Sequence, residues 1–138
     1  VKLKQLEMKL IIIQSVPACL KAAQKSIENN LPNKFPGGII YNSNFEDVLN
    51  LIPKEGEVTV ITSNFFHDSL HVKFSYAEKC GDRLAELIKE INPIAKVYVF
   101  AEQEPTFTHV DGFFKKKNVD NVGEEVIEVL WDLGLLEM

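Results

Sequence analysis

The sequence predicts an α/β domain: a three-layer α/β/α sandwich with a parallel sheet between two layers of helices. Two observations carry that prediction. Five short strand-like runs, Lys9–Ile13, Gly38–Tyr41, Val58–Thr62, Lys96–Phe100 and Gly112–Phe114, alternate with mostly helical stretches. Such alternation implies parallel strands joined by crossovers, with helices on both faces. The first run, Leu10-Ile11-Ile12-Ile13, is wholly apolar, as a strand buried on both faces reads. In sheets of this kind the working groups sit just past the carboxyl ends of the strands. The residues that follow each run therefore decide function.

Each element has its own local reason. Pro17 can open a helix at no cost, because its missing N–H would be unpaired there anyway. Leu20, Ala23 and Ile27 give that helix an inward stripe, and Asn29-Asn30 and Pro32 end it. After the second strand, Ser43-Asn44-Phe45-Glu46 resembles a capping box with Ser43 at the N-cap. Phe45, Val48, Leu49 and Ile52 then fall at helical spacing, and Pro53 stops the run. Beyond the third strand, Ser63–Ser75 has no strong helical period; a loop of that length is often functional or mobile. An amphipathic helix follows, with Ala77, Cys80, Leu84, Leu87, Ile88 and Ile91 inward and Asn92-Pro93 at its end. Only Ala101–Asp111 separate the fourth strand from the fifth, so a fourth helix there is short or absent. Gly123–Leu133 reads as the last helix, with Val126, Val129, Leu130 and Leu133 inward and Trp131 off that stripe.

Bulk properties narrow the function classes. A chain of 138 residues, 46% hydrophobic and 25% charged, suits one domain with its own core, residues 1–8 forming an N-terminal extension. The net charge of −5 argues against nucleic acid as the main partner of this domain, since phosphate backbones demand an excess of Lys and Arg. No apolar run approaches membrane-spanning length. The two cysteines, Cys19 and Cys80, lack metal or redox spacing, and a reduced cytoplasmic setting is the simplest expectation.

The strand ends carry few charges: Gln14-Ser15 after the first strand, Ser63 after the third and Phe100 at the end of the fourth. Lys115-Lys116-Lys117 follow the fifth strand, where they either cover an anion pocket or form a solvated loop. His67 and His71 have metal-type spacing if helical, with Asp68 or His109 needed as a further ligand; a metal site requires more convergence than this pattern shows. Cys19 lies near a helix N-terminus, which can activate a thiol, but a small apolar helix residue is the better reading. Phe113 or Phe114 is expected in the core, on a central or edge strand. Phe65, Phe66 and Trp131 supply aromatic bulk that either packs inside or forms a contact surface.

This order and spacing resemble the response-regulator receiver domain, over about Lys9 to Leu133. Leu84–Pro93 resembles the third receiver helix, Lys96–Glu102 the fourth strand running into Ala-Glu, and Asp111–Lys116 the fifth strand with its lysine. The resemblance implies a flavodoxin-like frame with strand order 2-1-3-4-5. It also implies five working groups: an acidic pair holding Mg²⁺, a phosphoacceptor Asp, a Ser or Thr switch, and a Lys. On this sequence those positions fall at Gln14 and Ser15, Ser63 (beside Thr62 and Asn64), near Phe100, and Lys116. Only Lys116 matches, with Lys115 a one-residue alternative. The resemblance thus implies a pseudo-receiver: no enzyme and no cofactor, but a regulatory domain that binds protein, as a homodimer or with another chain. In receivers the fourth helix, fifth strand and fifth helix form the usual partner face, so the short Ala101–Asp111 connection implies a different one here. The alternative is a flavodoxin-like ligand-binding protein or enzyme using the crevice near Ser63 and Lys116. Against it, Gln14-Ser15-Val16-Pro17 has no phosphate-binding glycine and no G-x-S-x-G elbow surrounds Ser63.

Overall fold

The computed structural model describes residues 2–3, 9–14, 17–30, 39–63, 81–101, 108–115 and 122–137. A short strand β1 (Lys2–Leu3) precedes β2 (Lys9–Ile13), α1 (Pro17–Asn30), β3 (Ile39–Asn42), α2 (Phe45–Leu51) and β4 (Val58–Ser63). Then come α3 (Gly81–Ile91), β5 (Lys96–Ala101), β6 (Gly112–Lys115), α4 (Val122–Asp132) and β7 (Leu136–Glu137). The main sheet has five strands in the order β3-β2-β4-β5-β6, every pairing parallel. Counting from the first long strand, this is the predicted order 2-1-3-4-5.

The centre of the sheet is as apolar as its sequence. Leu10, Ile11, Ile12 and Ile13 are completely buried, as are Val60, Ile61 and Thr62 of β4. Side chains alternate across a strand, and two cores result. Leu10, Ile12, Ile61 and Phe100 pack with Ala23 and Ile27 of α1 and Val126, Val129 and Leu130 of α4. Ile11, Ile13, Val58, Val60 and Val97 pack with Val48 of α2 and Leu84, Ala85 and Ile88 of α3. A helix layer on each face explains why β2 shows no polar alternation.

Helix ends follow backbone chemistry. The N-cap of α2 is Asn44, one residue beyond the expected Ser43. Its Oδ1 accepts hydrogen bonds from Glu46 N at 2.9 Å and Asp47 N at 3.0 Å, which satisfies two donors at the helix start. Both residues suit a cap by type, so composition alone did not decide between them. At the end of α3, Asn92 is buried and its Nδ2 donates to Pro53 O (3.0 Å) and Gly56 O (2.9 Å), tying α3 to the α2–β4 turn. At the end of α4, Gly134 N donates to Trp131 O and Leu135 N to Leu130 O. This reversal is closed by Gly134 at φ +71°, where a side chain would be strained. Leu135 then returns to the α1–α4 core.

One element has no counterpart in the sequence reading. β1 pairs antiparallel with β7, Lys2 opposite Glu137 and Leu3 opposite Leu136, so the two ends meet. Two-residue strands carry no periodicity to recognise.

The β5–β6 connection is the other departure from regularity. Among its described residues there is no helix: Thr108–Asp111 form a bend. At its end Asp111 N donates to Val97 O, and Asp111 Oδ2 accepts from Val97 N, each at 2.8 Å. This places Asp111 beside the start of β5. Val110 packs against the α2–α3 core.

Candidate functional site

The register of the central strands decides which residues meet at the carboxyl edge. Ile13 is opposite Thr62, and Ser63 is opposite Phe100. Gln14 follows Ile13 in the ladder, and its N–H donates to Asn42 O at 3.1 Å. Gln14, Ser63 and Phe100 therefore stand in one row across the sheet, as the sequence placed them. Gln14 is 4% exposed and Phe100 6%, whereas Ser63 is half-buried. The Thr62 hydroxyl, fully buried, donates to Ser63 O at 3.0 Å. Next to this row, Asn42 Oδ1 accepts from Asn44 N at 2.7 Å.

The row is thus an amide, a hydroxyl and an aromatic ring. Among the described residues of the strand ends there is no carboxylate. A Mg²⁺ ion prefers hard oxygen ligands that include carboxylates. Gln14 offers a neutral amide oxygen and Ser63 an alcohol, so the donor set fits a divalent cation poorly. Phe100 extends the apolar side of the edge: its ring centroid lies 6.2 Å from that of Phe114, which in turn lies 6.1 Å from Tyr98. This aromatic run binds β6 to β5. Gly112 is required beside it, since a Cβ there would sit 2.8 Å from Tyr98 Cδ1. Burial, followed by the charge of Asp111, pushes the Tyr98 phenol above its ordinary pKa.

Several expected site residues lie outside the described residues: Ser15, Asn64, Phe65, Phe66, His67, Asp68, His71, Cys80, Lys116 and Lys117. β6 runs to Lys115, so Lys116 is the next residue after the strand. Cys19 is half-buried in α1 and packs on the α1–α4 core, in keeping with a small apolar role. Phe113 and Phe114 are half-buried on the edge strand, with Phe114 against the same core. Trp131 is 39% exposed on α4 and is one of two large exposed hydrophobics among the described residues, with Ile94. Among the described residues no group of three or more His, Cys, Asp and Glu could hold a metal ion. No helix among them is long and apolar enough to cross a membrane.

A polar cluster that the sequence reading did not single out holds the β5–β6 connection to α3. Asp82 Oδ1 accepts from Thr108 N (2.9 Å) and His109 N (2.8 Å), and Asp82 Oδ2 accepts from the Thr108 hydroxyl (3.0 Å). The His109 ring puts Nδ1 3.2 Å from Asp82 Oδ2 and Nε2 3.4 Å from Glu86 Oε2. Glu86 is also paired with Arg83. Burial pulls the Asp82 carboxyl upward, but the hydrogen bonds from His109 and Thr108 outweigh it and hold its pKa at about 2 against an ordinary 3.8. Farther along the same helix face, Lys89 Nζ lies 2.9 Å from Asp111 Oδ2. Asp82, Glu86 and Lys89 fall at i, i+4 and i+7, one stripe of α3. Along that helix the stripe covers about 10 Å, and an extended run from Thr108 to Asp111 covers about the same. The run from Thr108 to Asp111 therefore descends beside α3, held at Thr108–His109 and at Asp111. The stripe's spacing was present in the sequence, but its partners lie 26 residues away from Asp82, beyond any local rule.

The fold is the flavodoxin-like receiver fold, and comparison with known structures agrees. The chain is similar to the non-phosphorylated receiver domain of the stress response regulator RcsB from Escherichia coli, at 16% identity and a TM-score of 0.58, covering 92% of each chain. It is also similar to a CheY-like receiver domain protein from Methanospirillum hungatei, at 10% identity and a TM-score of 0.57, covering 94% of this chain and 98% of that one. A third similar structure is the RcsB response regulator of Salmonella typhimurium, at 15% identity and a TM-score of 0.57. This chain covers 62% of that regulator's length. No family model and no curated protein matches the sequence.

Proposed function

We propose that this chain is a regulatory receiver-fold domain that signals by binding a protein partner, without accepting a phosphoryl group at its strand-end pocket. The observation that carries this reading is the row Gln14–Ser63–Phe100 at the carboxyl edge of a receiver-type sheet. An amide, an alcohol and a buried phenyl ring stand where metal-assisted transfer to an aspartate needs carboxylates and a hydroxyl switch. The partner is a protein, a second copy of this chain being the simplest case. The net charge of −5 disfavours direct contact with nucleic acid by this domain. Trp131 is the described side chain best suited to anchor such a contact, being large, aromatic and exposed. Soluble location in the cytoplasm is part of the same proposal.

The test is amide NMR of the chain titrated with Mg²⁺ and beryllofluoride, a phosphoryl mimic. The spectrum is expected to stay unchanged at Gln14 and Ser63. Saturable shifts clustered at Gln14, Ser63 and Lys116 would overturn the proposal.

A further inference from the structure

We propose that two copies of this chain associate through the α1–α4 face, α1 of each lying antiparallel on α4 of the other. The inference rests on the protein-partner reading above and names the surface and its occupant. α1 joins two parallel strands, and α4 leaves the carboxyl end of a third. Both therefore run back along the sheet, side by side over one core. Their solvent sides carry opposite chemistry. Lys21, Ala22 and Lys25 are exposed on α1, and Glu128, Trp131 and Asp132 on α4. Residues four apart share a helix face. α1 thus presents two cations with a small side chain between them, and α4 two carboxylates with a large ring between them. Glu28, the other exposed charge described on α1, accepts from Gln24 Nε2 at 3.0 Å on its own helix.

A two-fold axis puts the same patch on both subunits and can reverse the direction of the incoming helix. Reversed, the spacing i, i+1, i+4 of α1 meets i, i−1, i−4 of α4. One register then satisfies all three positions: Lys21 opposite Asp132, Ala22 opposite Trp131, and Lys25 opposite Glu128. The two charges on each helix lie about 6 Å apart along its axis, so both pairs close together. Trp131 meets a methyl group, which leaves room for the ring of the residue type most favoured as an interface anchor. Pairing α1 with α1, or α4 with α4, would set like charges together, which disfavours those arrangements. The face is two helices wide and about 16 Å long on α4. That is the small end of specific interfaces, so the dimer exchanges with monomer.

Sedimentation equilibrium of the whole chain over a concentration series tests this. The wild type is expected to pass reversibly from monomer to dimer. Two charge swaps, Lys21→Glu with Lys25→Glu and Glu128→Lys with Asp132→Lys, are each expected to raise the Kd about tenfold or more, because each opposes like charges at every ion pair of the interface. All four positions are exposed, and circular dichroism checks that the fold is kept. Mixed in equal amounts, the two swapped proteins regain opposite charges at every pair and are expected to form a heterodimer of about wild-type affinity. Trp131→Ala, which changes no charge, is expected to weaken the wild-type dimer by a similar factor. The interface is overturned if the wild type stays monomeric at its highest soluble concentration, if neither swap nor Trp131→Ala moves the Kd, or if the mixed swaps fail to associate. The beryllofluoride titration reads the strand-end pocket separately: shifts there would overturn the phosphoryl reading and leave this dimer standing, and a failed dimer would leave that reading intact.

Discussion

The middle of the sheet and its β6 edge are held by different physics. At β2, four consecutive residues lie completely buried between two helix layers, and their attachment is the removal of apolar surface from water. At the edge, the connection into β6 has no helix among its described residues, and Asp82 and Asp111 fix it through directed bonds to backbone N–H groups. Apolar burial is non-directional, so the centre specifies that a strand is inside without fixing each atom. Hydrogen bonds to carboxylates are directional and charge-assisted, so the edge specifies the path of the described residues that lead into β6.

That contrast can be broken experimentally. The largest effect is expected from Ile12→Ala, which empties volume from the α1–α4 core. Core truncations of this kind cost about 2–5 kcal/mol, read as a lower denaturation midpoint with all strands lost together. A smaller loss, about 1–3 kcal/mol, is expected from Asp111→Ala, which strands the Val97 N–H and frees Lys89. If Asp111→Ala proves as costly as Ile12→Ala, the edge is not subordinate to the centre. Asn44→Ala calibrates a polar anchor elsewhere, and should cost about 1 kcal/mol as a lost N-cap.

The smallest effect is an acid one. The folded pKa of Asp82 is about 2, below its ordinary 3.8, so its stabilisation is fully present above about pH 4 and is lost as pH falls toward 2. Thr108 and His109 amide protection should decline in that window, and Asp82→Asn should flatten the decline at this site. The side chain is partly exposed, so solvent screens the interaction and the global midpoint should move little.

The same contrast separates what the sequence disclosed from what it hid. β2 and β4 were legible because each burial is written in the residue itself: an Ile run needs no partner to be recognised. The row Gln14–Ser63–Phe100 was legible too, since strand ends locate it once parallel order is recognised. The cap of α2 was off by one because Ser43 and Asn44 are chemically equivalent choices. The Asp82–His109 cluster was invisible for a stronger reason. Asp82, Glu86 and Lys89 read as the solvated face of an amphipathic helix, and only the third dimension brings Thr108, His109 and Asp111 onto it.

The meeting of β1 with β7 also bears on the order of folding. Lys2 pairs with Glu137, almost the full length of the chain away. Closing so long a loop costs entropy that grows with its length, and a two-residue ribbon returns few hydrogen bonds for it. The pairing is therefore expected to form after the main sheet has brought α4 onto α1, and to open first under native conditions. Gly134 shapes this outcome: by turning the chain at φ +71°, it delivers Leu136 and Glu137 to the ribbon already aimed. The tying of the two ends is a late clasp on a domain that is already folded.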